Sequence, residues 1–224
     1  MPRISRIVIP DIPYHITQRG NQRQDIFFTP DDRTNYLKWL KQYSRKFNLN
    51  ILGYCLMTNH VHIVAMPKNV DSMSRTMNVT HMRHAQVIFK NQGESGHLWQ
   101  GRFHSTALDE KHLWLCLRYI EQNPINAGIV ARAQDYIWSS AACHCGMRDD
   151  SVLTPRTRFC GALDDWESVL TETLTVEDIA LLKRRTHSGL PCGDRKFLKR
   201  MSKKVGYELI ERKKGRPKKT DKAR

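Results

Sequence analysis

The chain has 224 residues, with 37 Lys and Arg against 22 Asp and Glu, a net charge of +15 and a pI near 9.8. A hydrophobic share of 40% supports a buried core, and the length suits one main domain plus an appendage. No run approaches the roughly 18 apolar residues of a membrane span, and Met1 to Pro13 lacks the apolar stretch of a secretory signal. The six cysteines (Cys55, Cys116, Cys143, Cys145, Cys160 and Cys192) form no Cys-x-x-Cys pair, which points to reduced thiols in a cytoplasmic protein. Cys143-His144-Cys145 has metal-binding residue types but no second ligand pair at zinc-finger spacing.

Ile12 to Arg19 reads as a strand, with Tyr14 and Ile16 alternating against His15 and Thr17 until Gly20-Asn21 ends it. Thr29-Pro30-Asp31-Asp32 is a helix start: a capping hydroxyl, then proline, then acids at the positive end of the dipole. Tyr36, Leu37, Leu40, Tyr43 and Phe47 continue at helical spacing to about Asn48. Two strands follow, about Ile51 to Met57 and His60 to Met66, joined by a tight turn at Thr58-Asn59. A helix fills about Asp71 to Asn91, and Gly93 and Gly96 break it. Leu98 to Leu108 has strand character, and Glu110 to about Gln122 is helical, with Pro124 closing or kinking its end.

The order strand-helix-strand-strand-helix-strand is the split βαβ, or ferredoxin-like, arrangement. It predicts an α+β fold: an antiparallel sheet with helices on one face and the opposite face free for a site. After residue 140 the pattern weakens. Asp164 to Leu170, Val176 to Arg185 and Asp194 to Lys204 read as helices of a C-terminal extension over 141–210, followed by a disordered basic tail over 211–224. From Arg195 to Arg224 there are 14 Lys or Arg against Glu208, Glu211 and Asp221, a net +11. Such a basic excess favours nucleic acid, and the segment lacks the apolar face that an anionic membrane would require.

The chemistry concentrates at His60-Val61-His62. Residues two apart on a strand share a face, so Val61, Ile63 and Ala65 meet a core while both imidazoles project oppositely, as half of a divalent metal site. On the later helix Tyr119 and Asn123 are four apart and share a face, with Gln122 close by. A phenol and an amide oxygen then reach one place. Mg²⁺ or Mn²⁺ accepts oxygen ligands, and Mn²⁺ also tolerates imidazole, leaving positions for a phosphate oxygen and water. A His-x-His pair alone is more often incidental. A histidine-triad hydrolase needs a third His where Val64 stands, and an amidohydrolase barrel needs a longer chain. His81 and His84 lie at helical spacing and read best as a solvated or DNA-facing surface.

Asn59-His60-Val61-His62 resembles the His-hydrophobic-His motif of HUH endonucleases. Tyr119-Ile120-Glu121-Gln122-Asn123-Pro124-Ile125-Asn126-Ala127-Gly128-Ile129-Val130 resembles the tyrosine helix of one-tyrosine transposases, above all the REP-associated tyrosine transposases. Tyr14-His15-Ile16-Thr17-Gln18-Arg19-Gly20-Asn21 and Trp99-Gln100-Gly101-Arg102-Phe103 resemble that family's flanking strands. The resemblance spans about Pro10 to Ser140, and four motifs in register make it specific. It implies metal-dependent cleavage of single-stranded DNA at or near palindromic hairpins through a 5′-phosphotyrosine. Carried over, Tyr119 is the nucleophile, His60 and His62 bind metal, and Asn123 is the first choice for third ligand ahead of Gln122 and Glu121.

Arg19, Arg102 and Arg118 are expected to meet phosphate near the site. Lys213-Lys214-Gly215-Arg216-Pro217-Lys218-Lys219 resembles an AT-hook core, in which Arg216 would enter an A·T minor groove. Expected partners are single-stranded and hairpin DNA, with no membrane, for a cytoplasmic, nucleoid-associated monomer or homodimer. Two competing readings are a catalytically idle DNA-binding regulator that keeps the fold and an RNA-binding module. The latter lacks an evident RNP-type aromatic motif.

Overall fold

A computed structural model describes residues 6–155 and 165–209. The first strand, β1, is Tyr14–Arg19, and helix α1 follows at Pro30–Lys46. The capping signal folds as written: Thr29 Oγ1 accepts from the Asp32 N–H at 3.3 Å, while Asp32 Oδ2 accepts from the N–H groups of Phe28 and Thr29. Strands β2 (Leu49–Met57) and β3 (His60–Pro67) form a hairpin in which Met57 pairs with His60 across Thr58-Asn59. Helix α2 is Ser72–Gln92, β4 is His104–Ala107 and α3 is Glu110–Asn126. The sheet runs β2-β3-β1-β4 with every neighbouring pair antiparallel. This is the split βαβ order, and the α+β class is as expected.

One sheet face carries Tyr14, Ile16, Ile51, Tyr54, Leu56, Val61, Ile63 and Ala65 into a core completed by Tyr36 and Leu40 of α1 and Met73 and Met77 of α2. The other face bears His15, Thr17, Arg19, His60, His62, Val64, Cys55 and Met57, by strand alternation and cross-strand register. That face was expected to be free, but helices lie on both faces. Helix α3 covers Cys55, Met57 and Val64 with Leu113, Cys116, Leu117 and Ile120. The physical reason is on β2 and β3. Val64 and Cys55 are apolar and need cover, and Gly53 lets α3 come close: a Cβ there would sit 2.4 Å from Leu117 Cδ2. The site is therefore a cleft beside α3.

Two boundaries differ from the sequence reading. β4 is shorter, because residues 98–103 form a loop tied to the end of β1: Asn21 N–H donates to Leu98 O and Gln100 N–H to Arg19 O. α3 runs past Gln122 and through Pro124 to Asn126. Proline removes only the bond to the Ile120 carbonyl, and Asn123 Nδ2 faces that oxygen at 3.4 Å.

The C-terminal helices are α4 (Ala141–His144), α5 (Trp166–Thr171), α6 (Val176–Ser188) and α7 (Arg195–Val205). Trp166, Leu170 and Leu182 join the core under α3, while Phe197 and Met201 join the core of α1 and α2. Residues 190–192 run along the edge strand β4: Cys192 N–H donates to Ala107 O at 2.8 Å and Thr106 Oγ1 to Leu190 O at 2.6 Å. That pairing covers an edge otherwise open to another chain. Among the described residues Cys55, Cys116, Cys143, Cys145 and Cys192 are free thiols, and no helix is long and apolar enough to cross a membrane. Cys160, the basic tail and its Arg216 lie outside the described residues.

Candidate active site

The antiparallel register of β1 on β3 places Arg19 opposite His60, Thr17 opposite His62 and His15 opposite Val64. Residues directly opposite share a face, so Arg19, Thr17 and His15 stand with His60 and His62 in one polar field that borders the apolar Val64. The His60 and His62 rings lie 4.9 Å apart between centroids, nearly perpendicular at 84°. Tyr119 descends from α3 with its ring edge-on to His62, at 5.6 Å and 79°. All of these belong to one chain. They line a cavity of about 750 Å³ with Arg19, Arg102, His104, Asn123, Lys183, Thr186 and His187.

Each histidine has one ring nitrogen engaged. His60 Nδ1 is 2.6 Å from Asn59 Oδ1, and His62 Nδ1 is 2.9 Å from His15 Nε2. Burial lowers the His60 pKa to about 4, with Arg19 and Lys183 opposing a second positive charge. Burial also holds His62 well below the usual histidine range, helped by His15, His60, Arg19 and Lys183. Both rings are neutral at pH 7 and keep a lone pair, as a metal ligand must. Burial raises the Tyr119 phenol to about 12, Cys116 adds to the rise, and Arg19 and a hydrogen bond from Asn123 pull against it.

The candidates for a third metal ligand separate cleanly. Glu121 is fully buried on the far side of α3, where it accepts from Ser140 Oγ, from His144 Nδ1 at 2.7 Å and from Trp166 Nε1 at 2.7 Å. Gln122 donates through Nε2 to the carbonyls of Leu170 and Glu172. Asn123 lines the cavity, and its Nδ2 is turned towards the Ile120 carbonyl. Two neutral imidazoles and one amide fit a divalent cation, although among the described residues no group of three His, Cys, Asp or Glu is gathered to hold one.

Of the arginines, Arg19 and Arg102 line the cavity, whereas Arg118 pairs with Glu172 at 2.5 Å and is not part of the lining. His144 is committed to Glu121 rather than to a Cys-His-Cys metal site. His81 and His84 are buried, not solvated: His81 Nε2 is 2.9 Å from the Tyr36 hydroxyl and His84 Nε2 2.7 Å from the Ile26 carbonyl. The sequence reading did not assign His15, His104, Lys183, Thr186 or His187 to the site. His15 was findable, since it shares a strand face with Thr17 and Arg19. The α6 residues carried no signal.

A sheet that offers paired histidines to a tyrosine on the helix after its last strand suits a DNA-processing enzyme. Residues 8–123 match the family described as IS200-like transposases, over half of the chain, and the chain belongs to that family. A solved structure described as the REP-associated tyrosine transposase bound to a REP hairpin is similar at 18% identity, with a TM-score of 0.52 over 69% of this chain and 98% of that one. That likeness shows a shared fold. A putative transposase from Deinococcus radiodurans R1 is similar at 16% identity, with a TM-score of 0.39 over 54% of this chain and 97% of that one. No curated protein matches the chain in sequence. The matched family span ends at Asn123 and leaves α4 to α7 outside it.

Proposed function

We propose that the cavity cuts and rejoins single-stranded DNA at or near hairpins, with Tyr119 as nucleophile. The observation that carries this reading is the Tyr119 ring 5.6 Å from His62, in the cavity that His60 and Arg19 also line. Tyr119 Oη attacks the scissile phosphorus as the phenol proton passes to solvent. The new O–P bond replaces the P–O3′ bond, and the leaving 3′-oxygen takes up a proton. One phosphodiester replaces another, so a 3′-hydroxyl can reverse the step without ATP. His60, His62 and Asn123 would hold Mg²⁺ or Mn²⁺, which supplies positive charge at the phosphate.

The protein's own charges serve the same end. At a pKa of about 12, about one Tyr119 in 10⁵ is ionised at pH 7. Arg19 already favours the phenolate. Arg19, Arg102 and Lys183 line the cavity and suit an incoming phosphate. Tyr119 lies beside His62 of its own chain, an arrangement that serves a monomer or each subunit of a homodimer.

Support for a hairpin comes from the REP hairpin on the structural neighbour and from α7, where Arg195, Lys196, Lys199, Arg200, Lys203 and Lys204 are all exposed. We assign that face and the tail with Arg216 to duplex phosphates and groove. Residues 1–140 are then the chemical unit, and 141–210 supply one cavity wall and the basic face. Nucleoid association follows from such binding.

The test is incubation with labelled hairpin-bearing single-stranded DNA and Mg²⁺ or Mn²⁺, followed by denaturing electrophoresis. A covalent protein–DNA adduct is expected, and it disappears in Tyr119→Phe. No adduct across a broad hairpin set with both metals would leave binding without chemistry.

A further inference from the structure

A chain of buried hydrogen bonds runs from α6 into the cavity. Thr186 Oγ1 lies 2.8 Å from His15 Nδ1, and His15 Nε2 lies 2.9 Å from His62 Nδ1. All three side chains are buried. A neutral imidazole carries one N–H, so a bond between two ring nitrogens needs a donor on one ring and an acceptor on the other. The tautomer of one ring therefore dictates the tautomer of the other.

Two arrangements are self-consistent. In the first, His62 Nδ1–H donates to His15 Nε2 and His15 Nδ1–H donates to Thr186 Oγ1, which leaves the His62 Nε2 lone pair for the cavity. In the second, every donor and acceptor is exchanged, and a proton occupies His62 Nε2. We propose that His15 and Thr186 are positioning residues that hold His62 in the first, ligand-ready tautomer. The inference rests on the reading of His60 and His62 as metal ligands.

The hydroxyl of Thr186 is what lets His15 carry its proton on Nδ1. A buried N–H without an acceptor is rarer and more costly than an under-used acceptor. With valine at 186, His15 is better off with a bare Nδ1, which imposes the second arrangement on His62. The partner ring needs no such help. His60 Nδ1 faces Asn59 Oδ1, an atom that only accepts, while Asn59 Nδ2 is held by the Arg23 carbonyl at 3.1 Å. His60 thus has its tautomer set by the residue before it, and His62 by a helix outside the matched family span. Partners of ligating histidines commonly fix ring orientation in this way, and their loss costs roughly 10–100-fold in metal affinity.

The first measurement needs no variant and no metal. Long-range nitrogen–proton NMR correlations at neutral pH report the tautomer of each ring. Protons on Nδ1 of both His15 and His62 are expected, and a wild-type His62 protonated on Nε2 overturns the proposal. The second is Mn²⁺ titration. Thr186→Val is expected to move both rings to the Nε2–H form and weaken binding roughly 10–100-fold. Thr186→Ser keeps the hydroxyl and restores both readouts. Wild-type Mn²⁺ affinity in Thr186→Val, with binding lost in His60→Ala, overturns the relay and leaves the proposed metal site standing. Equal Mn²⁺ behaviour of wild type and His60→Ala overturns the metal site instead, and the tautomer spectra alone then judge the relay.

Discussion

Removing the Glu121 carboxylate should destabilise the protein heavily without touching His60, His62 or Asn123, the proposed metal ligands. Glu121 is 0% exposed and accepts from Ser140 Oγ, His144 Nδ1 and Trp166 Nε1, joining α3 to α4 and α5. In Glu121→Ala the Ser140 hydroxyl keeps a second acceptor in the Tyr54 carbonyl at 3.3 Å. The His144 and Trp166 N–H groups lose the acceptor seen here. At about 1–3 kcal/mol for each buried donor that loses this acceptor, the cost is about 2–6 kcal/mol. That is a large part of the roughly 5–15 kcal/mol that holds a domain together. Glu121→Gln keeps the shape and one acceptor oxygen but turns an NH₂ towards a donor, for about half that loss. Urea unfolding of metal-free protein measures the stability, and Mn²⁺ titration of the folded variant measures the site. A Glu121→Gln protein of wild-type stability with metal affinity lost would refute the reasoning and make Glu121 a ligand. Asn123→Ala should show the opposite pattern, with weakened metal binding and stability within about 1 kcal/mol, as for a side chain outside the core.

Two other outcomes are expected. The pKa values of buried His15, His81 and His84 are lowered by burial to about 3, 3 and 4. The unfolded chain takes up protons near pH 6.5 while the folded one resists, so this stability is full above 6.5 and falls as the pH drops towards 4 for His84 and towards 3 for His15 and His81. At pH 5 the loss is about 2 kcal/mol for each ring and about 6 kcal/mol together; equal urea midpoints at pH 7.5 and pH 5 would exclude it. On α7, replacing exposed Lys196, Lys199, Arg200 and Lys203 with alanine should flatten the salt dependence of hairpin-DNA binding. The slope of log affinity against log salt should fall in magnitude by up to about 3.6. An unchanged slope in a filter-binding series would remove α7 from the DNA interface.

That His60, His62, Tyr119 and Asn123 would face one place was legible because each alignment is local. Strand alternation alone separates His60 and His62 from Val61, Ile63 and Ala65, and helical spacing alone aligns Tyr119 with Asn123. The α1 cap was legible for the same reason: Thr29 and Asp32 bond each other within the one turn that Pro30 opens. Arg118 shows where local reading stops. It lies one residue before Tyr119, yet the helix turns it towards Glu172, 54 residues on.

The sequence by itself determined the order of elements, the two faces of each strand and the residue types brought to the site, since these follow from periods of 2 and 3.6 residues. Tertiary packing alone decided that helices cover both faces of the sheet, because that depends on α3 docking where Gly53 leaves room beside Val64. It also decided which of three adjacent side chains, Glu121, Gln122 or Asn123, looks into the cavity. Their directions around α3 acquire meaning only once one side of that helix is fixed against Trp166 and His144. The link from Thr186 through His15 to His62 is of the same kind. It spans most of the chain, and no periodicity records a contact between elements so far apart in sequence.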